Sequence, residues 1–187
     1  MDLPWGDEKT HSFVTNVGLI TSDGPFGPNI MACEWTHMVS YSPGLLAICL
    51  RIQEATYANV KATKEFGVSL ASHDQNQIAS IAGGNSGKRF HKIKALQELG
   101  YPFYKAKNIK VMMVKGAVLN IECKVLQEIP LGDHVMFVGE VLDVSKEDKQ
   151  PLVYHQRKYW KLGENIPRPS EEELAHIQKV VQKFEKH

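Results

Sequence analysis

The 187-residue chain reads as mainly β: an antiparallel barrel with a few short helices in its middle and one amphipathic helix at its end. Three observations predict this. Strand-like runs follow one another through Gly/Pro turns too short to hold a crossover helix. Residues 119–144 alternate apolar and polar side chains on either side of a tight turn, the pattern of a long hairpin. The clearest helical stripe comes last, after Pro169-Ser170. Antiparallel strands in such number close on themselves to remove exposed edges.

The elements follow in chain order. Residues 12–22 (SFVTNVGLITS) alternate apolar and small polar side chains until Asp23-Gly24-Pro25 ends the run. A second strand is expected over 29–40 and a third over 45–52, separated by Ser42-Pro43-Gly44, so the first three strands form a meander. Thr56 stands as the expected N-cap of a short helix over 57–64. Strand returns over 66–72, and Ile78, Ile81 and Ala82 share one face of a short helix over 75–82. Residues 83–87 (GGNSG) hold three glycines and are expected to be loop. Residues 92–99 suggest one or two helical turns ended by Gly100.

In the hairpin, Leu119, Ile121, Cys123 and Val125 form one face, Pro130 to Asp133 turn the chain, and 135–144 return. At the end, Ser170 with Glu173 makes a capping box. Leu174, Ile177, Val181 and Phe184 continue as a stripe, so a helix is expected over 170–186. With one greasy face it must dock on its own barrel or on a partner subunit. No repeat and no linker divides the chain, so residues 1–187 are expected to form a single domain.

Composition narrows the function. Lys plus Arg number 22 against 21 Asp plus Glu, a net charge of +1, which lacks the basic face of a nucleic-acid binder. No apolar run approaches the roughly 20 residues of a membrane span. The acidic start, Met1 to Glu8, has no leader-like apolar core. Cys33, Cys49 and Cys123 are too dispersed for a disulfide framework or a CxxC site. They read as small buried hydrophobes in a reducing, cytoplasmic compartment. The histidines at 37, 73, 91 and 155 lack ligand spacing, so no metal site is expected.

HExxH, GxSxG, P-loop and GxGxxG motifs are absent. The 83–88 stretch falls short of a P-loop, with three residues between its outer glycines and no Ser or Thr after Lys88. Such a loop can still hold a phosphate through backbone N–H groups with Lys88 or Arg89, or be a solvated surface loop. Arg51, five residues before Thr56, offers a guanidinium beside a helix start, as a phosphate requires; a pair with Glu54 explains it equally well. His134 opens a strand directly after a turn, where a ring can face a pocket mouth or simply lie on the surface. The residues alone reach an antiparallel barrel with a candidate anionic ligand.

Several stretches together resemble the flavin reductase-like family with an FMN-binding split barrel, the group that includes flavoredoxin. They are Asp23-Gly24 with Pro28-Asn29-Ile30-Met31-Ala32 and Trp35; Ser40-Tyr41-Ser42-Pro43-Gly44; Thr56; Gln75-Asn76-Gln77-Ile78-Ala79; and Lys88-Arg89-Phe90. The hairpin adds Ile121-Glu122-Cys123-Lys124, Gly132-Asp133-His134 and Val138-Gly139-Glu140-Val141, and Tyr159-Trp160-Lys161-Leu162-Gly163 closes the series. The resemblance spans about residues 10–163. Gly44 replaces the second Pro of the family's turn, and the basic pair at 88–89 replaces its Asp-Lys.

The resemblance implies a homodimer with FMN, rather than FAD, near the subunit interface. It implies NADH or NADPH as co-substrate, with the flavin N5 accepting the hydride. The expected flavin contacts are Asn29, Ile30, Met31, Ala32, Cys33 and Trp35. Short side chains at 32 and 33 permit close approach of the backbone, and Asn29 can donate and accept. Arg51, Glu54, Thr56, Ser86, Lys88 and Arg89 are the candidates around the phosphate tail. His134 is expected on the nicotinamide or acceptor side as the catalytic residue. Reduction of flavin or another small-molecule acceptor is the leading expectation, and an FMN electron carrier serving a redox protein partner is the alternative.

Overall fold

The computed structural model describes residues 2–4 and 7–185. Met1, Trp5 and Gly6 of the acidic start, and Lys186 at the end of the expected last helix, lie outside the described residues. After a 3-10 turn at Thr10–Ser12 come β1 (Thr15–Asn16), β2 (Gly18–Ser22), β3 (Asn29–Cys33), β4 (Thr36–Tyr41) and β5 (Gly44–Arg51). Next are α1 (Ala55–Thr63), β6 (Glu65–Leu70), α2 (Asn76–Gly84), α3 (Lys92–Glu98), β7 (Phe103–Lys105) and β8 (Met112–Val114). The chain ends with β9 (Leu119–Leu131), β10 (His134–Lys146), β11 (Val153–His155), β12 (Lys158–Trp160) and α4 (Glu171–Gln182).

The main sheet is antiparallel, with strand order β3-β2-β6-β9-β10-β5-β4. Its two edge strands, β3 and β4, are consecutive in sequence and separated only by Glu34 and Trp35. A flat sheet of seven strands, at roughly 4.8 Å per strand, holds its edges far apart. Two residues cannot bridge that gap, so the sheet curls round until its edges meet: a barrel split along one seam. At the seam Cys49 N–H donates to the Trp35 carbonyl at 3.1 Å, and Thr36 Oγ1 donates to the Cys33 carbonyl at 3.2 Å. The expected single strand over 29–40 is therefore two, broken at this corner. The expected three-strand meander is instead two hairpins, β2–β3 and β4–β5, at opposite ends of the sheet order.

The barrel interior holds Ile20, Ile48, Leu50, Phe66, Val68, Ile121, Cys123 and Phe137, each at most 2% exposed. The long hairpin forms the wall around it. Gly132 takes φ 58°, a positive angle that two-residue turns require. Register shifts at Val138/Gly139 and Val141/Asp143 bend the two strands. Gly139 lies where its strand crosses Phe66: a Cβ there would stand 2.6 Å from Phe66 Cζ. A second core outside the barrel packs Leu19 and Ile30 against Ile78, Ala79 and Ala82 of α2 and Ile93 and Leu96 of α3.

Other boundaries shift for physical reasons. The run expected over 12–22 divides at Val17 into β1, paired with β11, and β2 in the main sheet. Gly83 and Gly84 are the last turn of α2, not loop. The buried Lys92 ammonium donates to the carbonyls of Ala82 at 2.8 Å and Asn85 at 3.0 Å, satisfying that helix end. Thr56 is not the N-cap of α1; Glu54 holds that position, without a side-chain capping bond. The terminal helix begins as expected, with the reciprocal Ser170–Glu173 capping box. No described helix is long and apolar enough to cross a membrane.

Candidate functional site

Three strand and helix ends converge beside the barrel seam. The β5–β10 register places Arg51, the last residue of β5, opposite His134, the first of β10. Asp133, in the turn just before, joins them: its Oδ1 lies 2.7 Å from His134 Nδ1 and its Oδ2 lies 3.9 Å from Arg51 Nε. A carboxylate only accepts, so His134 Nδ1–H donates and Nε2 is left for another partner. That hydrogen bond is the main cause holding the Asp133 carboxyl below its usual range. Arg51 thus pairs with Asp133 rather than in the ion pair with Glu54 that sequence spacing suggested.

Trp35 leaves the seam corner and lays its ring 4.5 Å from the His134 ring, tilted by 40°. It is 55% exposed, so it is not a core tryptophan. Together the exposed Trp35, the half-exposed Arg51 and the His134 ring beneath Trp35, only 12% exposed, form a partly aromatic shelf.

Next along the seam is Glu54. Burial raises its pKa, opposed first by Arg51 and then by His134 and Lys92 among the charges. Its Oε2 is buried and lacks a hydrogen bond. Lys92 mirrors it: burial pushes its pKa down to about 8, against the pull of Glu54. The Glu54 carboxylate thus lies within electrostatic reach of Arg51 and His134 on one side and Lys92 on the other.

At the far end Asn29, 2% exposed, donates from Nδ2 to Thr56 Oγ1 at 2.8 Å, while its Oδ1 is buried without a partner. The 85–90 loop lies against this amide. A Cβ on Gly87 would stand 2.3 Å from Asn29 Oδ1, so only glycine lets the loop backbone come so near. The loop is tied by Arg89 N–H and Phe90 N–H donating to the Ser86 carbonyl, and by Lys88 N–H donating to Ser86 Oγ. Lys88 Nζ sits 5.5 Å over the Phe26 ring. Phe26 is held in turn by its N–H bond to Asn59 Oδ1. Ser86, Lys88 and Arg89 are all exposed beside the start of α1.

Other expected contacts point elsewhere. Ile30 is fully buried in the outer core, and Met31 is half-buried against the barrel interior, so only their backbones can serve a ligand. Ala32 faces α2, where a Cβ on Gly83 would come within 3.3 Å; its small size admits the helix. Cys33 is buried, and desolvation pushes its thiol up to about 11. With Val17, Glu34, Tyr154 and Tyr159, Ala32 and Cys33 line a small cavity of about 90 Å³. Asp133, Gly87, Lys92 and Phe26 join the site unforeseen. Asp133 and Gly87 lay in motifs already noted, and Lys92 was legible only as the start of a helix. Among the described residues no group of three or more His, Cys, Asp or Glu gathers to hold a metal.

The chain has relatives among known proteins and solved structures. An uncharacterized protein from Archaeoglobus fulgidus is 30% identical over 150 residues, covering 78% of this chain and 83% of that one. An FMN reductase (NADH), RutF, of Cronobacter sakazakii is 24% identical across 80% of this chain and 87% of its own. The Streptomyces globisporus C-1027 NADH:FAD oxidoreductase SgcE6 superposes with TM-score 0.76, at 19% identity, over 88% of this chain and 99% of that one. Residues 10–163 match the model of the flavin reductase like domain, and the chain belongs to that family.

Proposed function

We propose that this chain binds FMN along the seam and uses NADH or NADPH to reduce it, or to reduce another small acceptor through it. The observation that carries the reading is the pair of buried, unpartnered oxygens, Asn29 Oδ1 and Glu54 Oε2, on one strip between a glycine-backed loop and an aromatic shelf. An unsatisfied buried oxygen costs about 1–3 kcal/mol. A flavin's ring N–H and ribityl hydroxyls are the donors such oxygens lack. Its phosphate fits the other end, where Thr56 Oγ1, the uncapped start of α1 and the exposed Ser86, Lys88 and Arg89 supply donors and positive charge.

A bound flavin supplies two-electron chemistry that no side chain here can perform. The chain's own residues do the rest. Asn29 and Thr56 hold each other and fix where the loop lies. Asp133, with Arg51 3.9 Å away, hydrogen-bonds the His134 ring and leaves Nε2 to position a nicotinamide amide or an acceptor. Trp35 backs that ring and presents a flat face. Cys33 stays a thiol at neutral pH and contributes packing, not chemistry.

The shelf's rim is exposed: Trp35 is 55% exposed, Ile52, which follows Arg51, 62%, and Leu131, in register with His134, 47%. A second copy of the chain closing over it, in a homodimer, excludes water from the reacting atoms. Residues 1–187 then act as a single domain, a flavin-binding barrel with an appended helix. The three cysteines are unpaired, in keeping with a reducing cytoplasm.

The test is anaerobic mixing of the FMN-loaded protein with NADH and with NADPH. Rapid bleaching of the yellow band by either supports the reading. No bleaching with a fully loaded protein points to an electron carrier reduced by a protein partner. A protein that takes up no FMN at excess removes the reading altogether.

A further inference from the structure

Helix α1 carries a polar face with a single role. Thr56, Asn59 and Thr63 step by three and four residues, so they share one side of the helix. All three hold the residues 22–29 that join β2 to β3. Thr56 Oγ1 accepts from the Asn29 amide at 2.8 Å, and Thr63 Oγ1 donates to the Asp23 carbonyl at 3.4 Å. Between them Asn59 is fully buried and uses its whole side chain on this turn. Its Oδ1 accepts the Phe26 N–H at 2.9 Å, and its Nδ2 donates to the Gly27 carbonyl at 2.9 Å and to Ser22 Oγ at 3.2 Å. The backbone under Phe26 is therefore fixed, although the ring itself is 38% exposed and adds little to the core.

The neighbour of that ring is Lys88. Its Nζ lies 5.5 Å from the ring centroid, within the roughly 6 Å of a cation–π contact. The 85–90 loop thus rests on the turn twice, with Gly87 against Asn29 and Lys88 over Phe26. The other basic side chain of the loop differs. The Arg89 guanidinium lies 5.3 Å from the ring of Phe90, its neighbour in the same loop, so that contact moves with the loop. Phe26 belongs to another element, and its contact fixes a loop cation to the body of the fold. A lysine loses much rotamer freedom when it grips an anion. Lys88 has given up part of that freedom in advance, so a phosphate meets a cation already in place.

We propose that Phe26 is a positioning residue: its ring holds the Lys88 ammonium at the phosphate end of the site, and the chain thereby favours flavins with a terminal phosphate over those without one. The proposal rests on the flavin reading above and names the contact that sets its phosphate recognition. It concerns a position, Lys88, at which the loop departs from the family's Asp-Lys. An exposed pair of this kind is weak, so its effect on affinity is about 2- to 5-fold.

Titration of the full chain with FMN and with riboflavin, read by quenching of flavin fluorescence, tests it. The two ligands share the ring and the ribityl chain and differ in the phosphate. Phe26→Leu keeps the backbone N–H that Asn59 holds, Phe26→Tyr keeps the aromatic face as well, and Lys88→Met removes the cation. The Kd for FMN should rise about 2- to 5-fold in Phe26→Leu and stay near the wild-type value in Phe26→Tyr, with the Kd for riboflavin unchanged in both. On a Lys88→Met background, Phe26→Leu should have no further effect. An unchanged Kd for FMN in Phe26→Leu overturns the proposal. An equal loss for both flavins also overturns it, because the ring would then support the site as a whole. The same loss on the Lys88→Met background overturns it too, since the ring would not act through the cation. In these three cases the flavin reading stands. A wild-type chain that binds riboflavin as tightly as FMN overturns the proposal together with the phosphate end of that reading, and one that binds neither removes both.

Discussion

Replacing Gly87 with Ala tests the site at its tightest point. The new Cβ would stand 2.3 Å from Asn29 Oδ1, 2.6 Å from its Cγ and 2.7 Å from its Nδ2. Ordinary contact begins near 3.5 Å, so about 1 Å must be found. Asn29 cannot yield cheaply: it is buried, and turning its amide breaks the 2.8 Å bond to Thr56. The loop can yield, since Ser86, Lys88 and Arg89 are exposed and held mainly by bonds within the loop. The strain therefore resolves by lifting the loop off Asn29.

Gly87 is half-buried, but its neighbours Ser86, Lys88 and Arg89 are exposed, so the loop absorbs the strain and fold stability should change by less than about 1 kcal/mol. Phosphate binding should suffer more. A shift of that size breaks about one charge-assisted hydrogen bond, worth about 1.5–3 kcal/mol, so the Kd for FMN rises about 10- to 100-fold. Titration by quenching of FMN fluorescence measures this, and a thermal melt of the apo protein checks the fold. An unchanged Kd refutes the reasoning, because the glycine would then not bring the loop to the ligand. A large fall in Tm refutes it too, since the loop would then be part of the fold's support.

Gly139→Ala places a Cβ 2.6 Å from Phe66 Cζ and 2.9 Å from Cys123 Cβ inside the barrel. Overpacking there should cost about 1–3 kcal/mol, read as a lower urea midpoint at an unchanged m value. Lys92 has its pKa lowered by burial to about 8, so between there and the ordinary lysine value the unfolded chain binds a proton that the native one has released. Stability from this group consequently rises with pH over that window, by on the order of 3 kcal/mol in all. Lys92→Met should flatten the rise in unfolding free energy above pH 8 relative to the wild-type chain; parallel curves would show that the ammonium is not desolvated as described. His134→Ala should lower kcat/KM for NADH oxidation at least about tenfold with the Kd for FMN held, and unchanged turnover would take His134 out of the reaction.

Much of the architecture was legible because local pattern encodes it. The 119–144 alternation and the Ser170–Glu173 box have their causes within a few residues, and both elements stand where the pattern put them. What escaped depends on distant contacts. Nothing near residues 34–35 announces a corner, since the break follows from closing a seven-stranded sheet. Gly83 and Gly84 look like loop until Lys92, eight residues on from Gly84, ties the carbonyls of Ala82 and Asn85. Thr56 has the side chain of a cap, but the buried Asn29 amide claims its hydroxyl. In the site, Arg51, Thr56 and His134 stood out because strand ends and helix starts are visible in sequence. The pairing of Arg51 with Asp133 was not visible, because it depends on β5 and β10 lying side by side in one register.

The site and the split in the barrel have one origin. Two residues join the outermost strands, so the sheet must curl until those strands approach, yet they do not pair with each other along their length. At that unpaired junction the chain has backbone to spare, side chains can leave both surfaces, and Trp35 stands in solvent rather than in a core. Arg51 ends β5 beside this corner, while Asn29 begins β3 at the far end of the same edge strand, with α1 reaching Asn29 through Thr56. A closed barrel of the same strands would satisfy these edges internally and leave no strip between them. A flat planar ligand with a polar rim and an anionic tail suits a place where two strand edges draw near without joining. The topology that makes the fold thus makes the proposed binding seam, and substitutions that only alter pockets in the core should leave it intact.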